Sequence, residues 1–118
     1  MHSTLTAATS TALVALLLVA PSVSADSTGD MTYYTPGLGA CGQTNSESDY
    51  IVAMNQAQYD GTCGNQVCIT YNGGSGVTAT VMDECPGCSF GDLDVSPVIF
   101  NALCGSLDAG RVTISWTW

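Results

Sequence analysis

The stretch "VTATVMDECPGCSFGDLDVSPVIFNALCG", residues 77–105, predicts a strand, a cysteine-containing turn and a short helix in immediate succession. Its opening residues alternate apolar and hydroxyl-bearing side chains, which is typical of a strand with one buried and one solvated face. Ser96 is suited to cap a helix, Pro97 suits the first helical position and Gly105 suits its end. We therefore expect a helix over residues 96–105.

The rest of the chain predicts further strands and almost no helix. Its short apolar segments are rich in Val, Ile, Thr and Tyr, and Gly, Asn and Ser separate them. The predicted strands cover residues 31–35, 50–55, 66–71, 77–82 and 111–118, and the glycines of residues 71–76 predict a hairpin turn. Short strands without a βαβ rhythm favour a small all-β barrel.

The first 25 residues predict a signal peptide. Residues 11–20 form an apolar run that is too short to span a bilayer, and Val23 and Ala25 occupy the small-residue positions before a cleavage site. We therefore expect a secreted, extracellular protein whose single domain covers residues 26–118. Because such a domain is small, its hydrophobic core alone is marginal.

Charge and residue types exclude several classes of function. The chain has 10 acidic residues and one basic residue, Arg111, and its single histidine is His2. Binding to nucleic acid or to an anionic membrane surface requires Lys and Arg, so neither is expected as a partner. Without a histidine beyond His2, residues 26–118 cannot assemble a Ser-His-Asp or Cys-His unit. Neutral polymers such as glycans carry no such penalty.

The six cysteines predict three disulfides, as is usual for an even number in an exported chain. A redox dithiol at Cys85 and Cys88 is disfavoured because Asp83 and Glu84 raise a neighbouring thiol pKa. A zinc site requires four ligands, and the other cysteines stand singly. We expect no metal or cofactor. The cysteines assigned to disulfides are Cys41, Cys63, Cys68, Cys85, Cys88 and Cys104.

Two carboxylates are placed where they can be fixed close in space. Asp83 ends a predicted strand and Asp94 precedes the predicted helix, and both positions are rigid. Paired carboxylates are the chemistry of glycosidic bonds. The alternative for Asp94 is a loop carboxylate that the dipole of the helix stabilises. Composition alone assigns Asp92 and Glu84 to the solvated surface.

The chain resembles expansin-like proteins, and more narrowly the stand-alone fungal loosenins, whose fold is the double-psi β-barrel of barwin and rare lipoprotein A. The most specific part is "DECPGC" followed by "LDVSP". Segments in the same order are "MTYY", "GLGACG", "YIVAMN", "CGNQVCITY", "VTATVMDECPGC", "GDLDVSPVIFNAL" and "GRVTISWTW". The resemblance covers nearly all of residues 26–118. It implies a six-stranded, disulfide-stapled barrel with one or two short helices.

The resemblance also implies site residues. The key aspartate of the family corresponds to Asp94, the aspartate at the preceding strand end to Asp83, and the family threonine to Thr32. The resemblance places Tyr34 in the same groove, and because Tyr33 and Tyr34 point to opposite faces only one of them can line it. We assign polysaccharide binding to Tyr34, Asp92 and Trp118.

Trp118 shares a face of the last predicted strand with Ile114 and Trp116. We interpret that face as mostly core, with a sugar-stacking platform as the alternative.

The implied activity is loosening of cell-wall polysaccharide without cleavage, on cellulose, chitin or xylan, by a monomer. Family 45 glycoside hydrolases, inverting enzymes on the same barrel, place a catalytic base after the Thr-x-Tyr segment. Residues 35–46 of this chain contain no carboxylate. An acid without a base to activate water is not expected to hydrolyse efficiently. Lytic transglycosylation requires only one main acid, so it stays open as an alternative.

Two other functions and one disulfide pairing remain open. The same barrel occurs in a bacterial papain inhibitor, so inhibition of a cysteine protease is an alternative, as is a host-directed effector. Barwin-like relatives usually keep the positions of Cys41, Cys63 and Cys85, and loosenin-like ones add Cys88. The additional cysteines are therefore predicted to form a Cys68–Cys104 disulfide.

Overall fold

A computed structural model describes residues 26–118, which form a closed six-stranded β-barrel with two short helices. The elements are β1 (Ser27–Tyr33), β2 (Ile51–Asn55), α1 (Gln56–Tyr59), β3 (Gln66–Thr70), β4 (Val77–Cys85), β5 (Leu93–Val95), α2 (Pro97–Cys104) and β6 (Arg111–Thr117). The predicted signal peptide lies outside the described residues. Within them, no helix is long and apolar enough to cross a membrane.

The barrel is mixed, and it closes in the order β1-β5-β2-β4-β3-β6. β1 pairs with β5 and β2 pairs with β4 in parallel, and the remaining pairs are antiparallel. This arrangement confirms the all-β barrel. Sequence analysis missed β5 because it has three residues, and it missed the four-residue α1.

The core follows the period-two alternation of the strands. Ile114 and Trp116 are 2% and 1% exposed, which confirms that this face of β6 is core. Inward residues of neighbouring strands join them, and α2 adds Ile99 and Phe100. The Phe100 ring also contacts Tyr33 edge-on, with 4.9 Å between centroids. Tyr33 therefore faces the core, and Tyr34 is free to line the outer surface.

Helix α2 begins and ends where the sequence predicts, although its cap differs. Pro97 is the first helical residue, and Gly105 ends the helix with a φ of 79°. Ser96 occupies the N-cap position, but its side chain makes no capping hydrogen bond. Its hydroxyl donates instead to the carbonyl of Asp49 and fastens the helix to the loop before β2. The predicted hairpin turn over residues 71–76 is also present, between β3 and β4.

The structure contains two disulfides rather than the predicted three. Cys41 bonds to Cys63 and Cys85 bonds to Cys88. The Cys68–Cys104 prediction is wrong, because both residues are free cysteines. Cys68 lies between the inward-facing Val67 and Ile69 of β3, so its side chain turns to the outer face of the barrel. Cys104 packs against the core cluster from α2 and is not bonded to Cys68.

Candidate functional site

Five residues form one row across five neighbouring strands. In the register of the barrel, Arg111 pairs with Thr32, Thr32 with Asp94, Asp94 with Ala53, and Ala53 with Asp83. Residues that pair directly point to the same face of a sheet. The two aspartates therefore flank Ala53 from adjacent strands, with their Cα atoms about 10 Å apart.

Asp94 accepts fewer hydrogen bonds than Asp83 does. The Thr32 hydroxyl donates to its Oδ1 at 2.9 Å, and among residues 26–118 no side chain or backbone group bonds its Oδ2. Burial raises the pKa of Asp94, the Thr32 hydrogen bond opposes this, and the Asp83 charge raises the pKa further. Arg111 lowers it slightly. Asp94 thus presents a free oxygen and takes up a proton more readily than an exposed aspartate does.

Asp83 is held by hydrogen bonds on both oxygens. The backbone N–H groups of Ala40 and Glu84 donate to Oδ1 at 2.8 and 2.9 Å. The Tyr34 hydroxyl donates to Oδ2 at 3.2 Å. A carboxylate with three donors is fixed in position, and its geometry suits an acceptor or a positioning group.

Tyr34 connects the end of β1 to β4. Its backbone N–H donates to Val95, and its hydroxyl reaches Asp83. Burial raises the pKa of Tyr34, and the charges of Asp83 and Asp94 raise it further, so the phenol remains protonated. The structure thus brings together Thr32, Tyr34, Asp83 and Asp94, four of the residues that the resemblance implies.

The loop that follows Tyr34 is fastened beside Asp83. The N–H of Cys41 donates to the carbonyl of Met82 at 3.3 Å, next to the contact between Ala40 and Asp83. Gly39 approaches the same carbonyl so closely that an added Cβ would lie 2.4 Å from its oxygen. The Cys41–Cys63 disulfide ties this loop to the segment before β3. The position of Asp83 therefore depends on a glycine and a disulfide remote in sequence.

Two residues assigned to binding lie apart from this row. Asp92 accepts hydrogen bonds from the backbone N–H groups of Asp30 and Ser89. Both of its carboxylate oxygens are therefore engaged in joining the turn before β5 to β1. Trp118 follows β6 at the end of the barrel where β1 begins, and Ser27 lies five residues, about 17 Å, along β1 from Thr32. Trp118 is 46% exposed and packs edge-on against Trp116. Ligand contacts by Asp92 and Trp118 remain predictions.

Glu47 is a carboxylate that the sequence analysis missed, because it lies one residue beyond the segment 35–46 in which a base is expected. The Glu47 side chain is exposed and accepts a hydrogen bond from the Thr35 hydroxyl at 3.1 Å. Its carbonyl also accepts from Val98 near the start of α2. The sequence does not predict the contact between Thr35 and Glu47, because it forms only when the loop between them folds back on itself. Within residues 26–118, no group of three or more Asp, Glu, His or Cys residues is arranged to hold a metal ion.

Comparisons with known proteins identify relatives of this chain, although no family model matches it. It is 42% identical over 96 residues to Allergen Asp f 7 of Aspergillus fumigatus, covering 75% of this chain and 35% of the relative. The chain thus spans about a third of that relative's length.

Two solved structures have the same barrel. Streptomyces papain inhibitor is 34% identical, with 81% of this chain and 96% of that chain covered and a TM-score of 0.70. The expansin of Clavibacter michiganensis is 32% identical, with 79% and 50% covered and a TM-score of 0.68. A related structure is an aspartate-to-asparagine mutant of that expansin in complex with cellohexaose. The barrel and these similarities together show that the chain belongs to the expansin-like family of double-psi β-barrel proteins.

Proposed function

We propose that the protein is secreted and that it binds and loosens cell-wall polysaccharide without cutting it. The observation that carries this proposal is the row in which Asp94 and Asp83 flank Ala53. The Clavibacter relative has been solved with a glucan oligosaccharide, cellohexaose. The two disulfides are in keeping with an extracellular protein.

The chemistry of the row suits the hydroxyl groups of a neutral glycan. The free Oδ2 of Asp94 accepts a hydrogen bond from a sugar hydroxyl when it is ionised, and it donates one when it is protonated. Hydrogen bonds to a charged carboxylate are stronger than bonds between neutral groups. Asp94 therefore competes with the hydrogen bonds that join neighbouring polysaccharide chains. Loosening requires this competition and no broken covalent bond.

The arrangement also favours binding over hydrolysis. Cleavage by an inverting mechanism requires a second carboxylate that is free to activate water. Asp83 already accepts three hydrogen bonds. Glu47 is engaged with Thr35 rather than with the row. Asp94 is thus an acid without an available base beside it.

A second candidate function is inhibition of a papain-type protease. The specific observation in its favour is that the alignment covers 96% of the Streptomyces papain inhibitor at 34% identity. Inhibition would rely on an exposed loop that enters the protease cleft, whereas loosening relies on Asp94. The same fold can support either function, so the site residues distinguish them.

The proposal is tested by sedimenting the purified protein with cellulose, chitin and xylan, alongside a papain activity assay. We expect co-sedimentation with at least one polysaccharide and its loss in Asp94→Asn. Inhibition of papain without binding to any polysaccharide would favour the second function. If Asp94→Asn binds polysaccharide as well as wild type does, the row is not the binding site.

A further inference from the structure

Phe90 is a large apolar side chain that the fold leaves in solvent. It is 69% exposed, at the tip of a tight turn immediately before β5. The N–H of Asp92 closes this turn by donating to the carbonyl of Ser89 at 2.9 Å, and Gly91 has the φ of 87° that the turn requires. Since Phe90 buries little of its ring, it contributes little to the stability of the barrel.

The turn itself is held in place at Gly91, the residue that follows Phe90. The Gly91 N–H donates to Gln58 Oε1 at 3.1 Å, and its carbonyl accepts from the Trp116 indole at 2.8 Å. The chain passes so close to β1 that a Cβ added at Gly91 would lie 2.4 Å from the Thr28 carbonyl oxygen. The backbone at Phe90 is therefore fixed in position. Binding of a ligand at this turn then costs little conformational entropy.

Phe90 lies within reach of the free carboxylate. Asp94 lies four positions after Phe90 in the sequence, so their Cα atoms are no more than about 14 Å apart. The row around Asp94 offers hydroxyl and carboxylate groups, and Ala53 at its centre is 2% exposed, so the row presents no large apolar surface of its own. A sugar ring has apolar C–H faces as well as hydroxyl edges, and an aromatic ring complements those faces.

We infer that Phe90 forms a second subsite for the same ligand, at which its ring stacks on a sugar unit of a neutral polysaccharide bound across Asp94. This inference rests on the proposed function. Asp94 bonds the hydroxyl groups of one part of the chain, and Phe90 supports the apolar face of a unit further along. Net charge favours this occupant, because with 10 acidic residues and one basic residue the protein repels anionic chains.

The test compares three substitutions at Phe90 in equilibrium binding to a polysaccharide that the wild-type protein binds. Phe90→Ala and Phe90→Leu should lower affinity by roughly three- to tenfold, the range expected for the loss of one stacked ring. Phe90→Trp should retain wild-type affinity, because it restores an aromatic face. Tyr50→Ala is the matched control, since Tyr50 is 49% exposed and directly precedes β2. Because β2 and β5 are antiparallel, Tyr50 lies on the side of the row opposite Phe90.

Tryptophan emission supplies a second measurement with soluble oligosaccharide. The two tryptophans are Trp116 and Trp118, and Trp116 bonds the residue next to Phe90, so saturating ligand should change the emission of wild type. Equal affinities of wild type, Phe90→Leu and Phe90→Ala would overturn the stacking subsite and leave the proposed function standing. If wild type binds no polysaccharide, both the stacking subsite and the proposed function are refuted. A Phe90→Ala variant that binds polysaccharide normally but inhibits papain less would assign the turn to a protease instead.

Discussion

Removal of the Cys41–Cys63 disulfide should destabilise the barrel more than removal of Cys85–Cys88. The two bridges join residues 22 and 3 apart in sequence. Loop-closure entropy then gives about 3.4 kcal/mol for the first and about 1.6 kcal/mol for the second. For a domain of this size, these losses correspond to decreases in Tm of roughly 14–27 °C and roughly 6–13 °C.

The assay is thermal unfolding of the double variants Cys41→Ser/Cys63→Ser and Cys85→Ser/Cys88→Ser without reductant, followed by circular dichroism. The first variant should also lose affinity for polysaccharide, because the loop at Cys41 places the N–H of Ala40 on Asp83. An equal or larger decrease in Tm for the second variant would refute the entropic argument. Unchanged affinity in the first would show that the disulfide does not support the position of Asp83.

Three further predictions concern Asp94, Glu47 and the free thiols. Burial raises the pKa of Asp94 above its unfolded value of about 4, so its favourable contribution is present below that pH and is lost as pH rises through the folded pKa. Asp94→Asn should therefore have a higher Tm than wild type at pH 7 and no such advantage at pH 3, and the opposite order would contradict the direction of the shift. Wild type and Glu47→Gln should both release no reducing sugar from cellulose, xylan or chitin, whereas steady release by wild type that Glu47→Gln abolishes would identify Glu47 as a base. Unfolding without reductant should expose two thiols to a maleimide, and mass spectrometry should locate them at Cys68 and Cys104, where a linked peptide would contradict the structure.

Much of the fold is predictable because local patterns agree with it. The end signals at Pro97 and Gly105 locate α2 closely, and the apolar run of β2 is bounded by polar residues. Residues 93–95 gave no such signal, since a three-residue strand with a central aspartate has no recognisable period. It becomes a strand because β1 and β2 supply partners on both sides.

The grouping of the candidate site residues was predictable, but the contacts among them were not. The motifs implied Asp83, Asp94, Thr32 and Tyr34, yet their hydrogen bonds join residues up to 62 apart in sequence. Such contacts depend on the register of the barrel, which a motif does not encode. The cysteine error is different, because the alternation around Cys68 already indicated an outward side chain. The expectation that additional cysteines pair overrode that local signal.

The most direct test of the account is wall loosening by Asp94→Asn, measured as extension of cell-wall strips or weakening of filter paper. The change removes the charge but keeps an oxygen that can accept from Thr32, so the fold should remain intact by circular dichroism. Asp60→Asn, the same substitution at an exposed residue, is the matched control. The account predicts that wild type and Asp60→Asn loosen the wall and that Asp94→Asn does not. Equal loosening by a folded Asp94→Asn protein would contradict it.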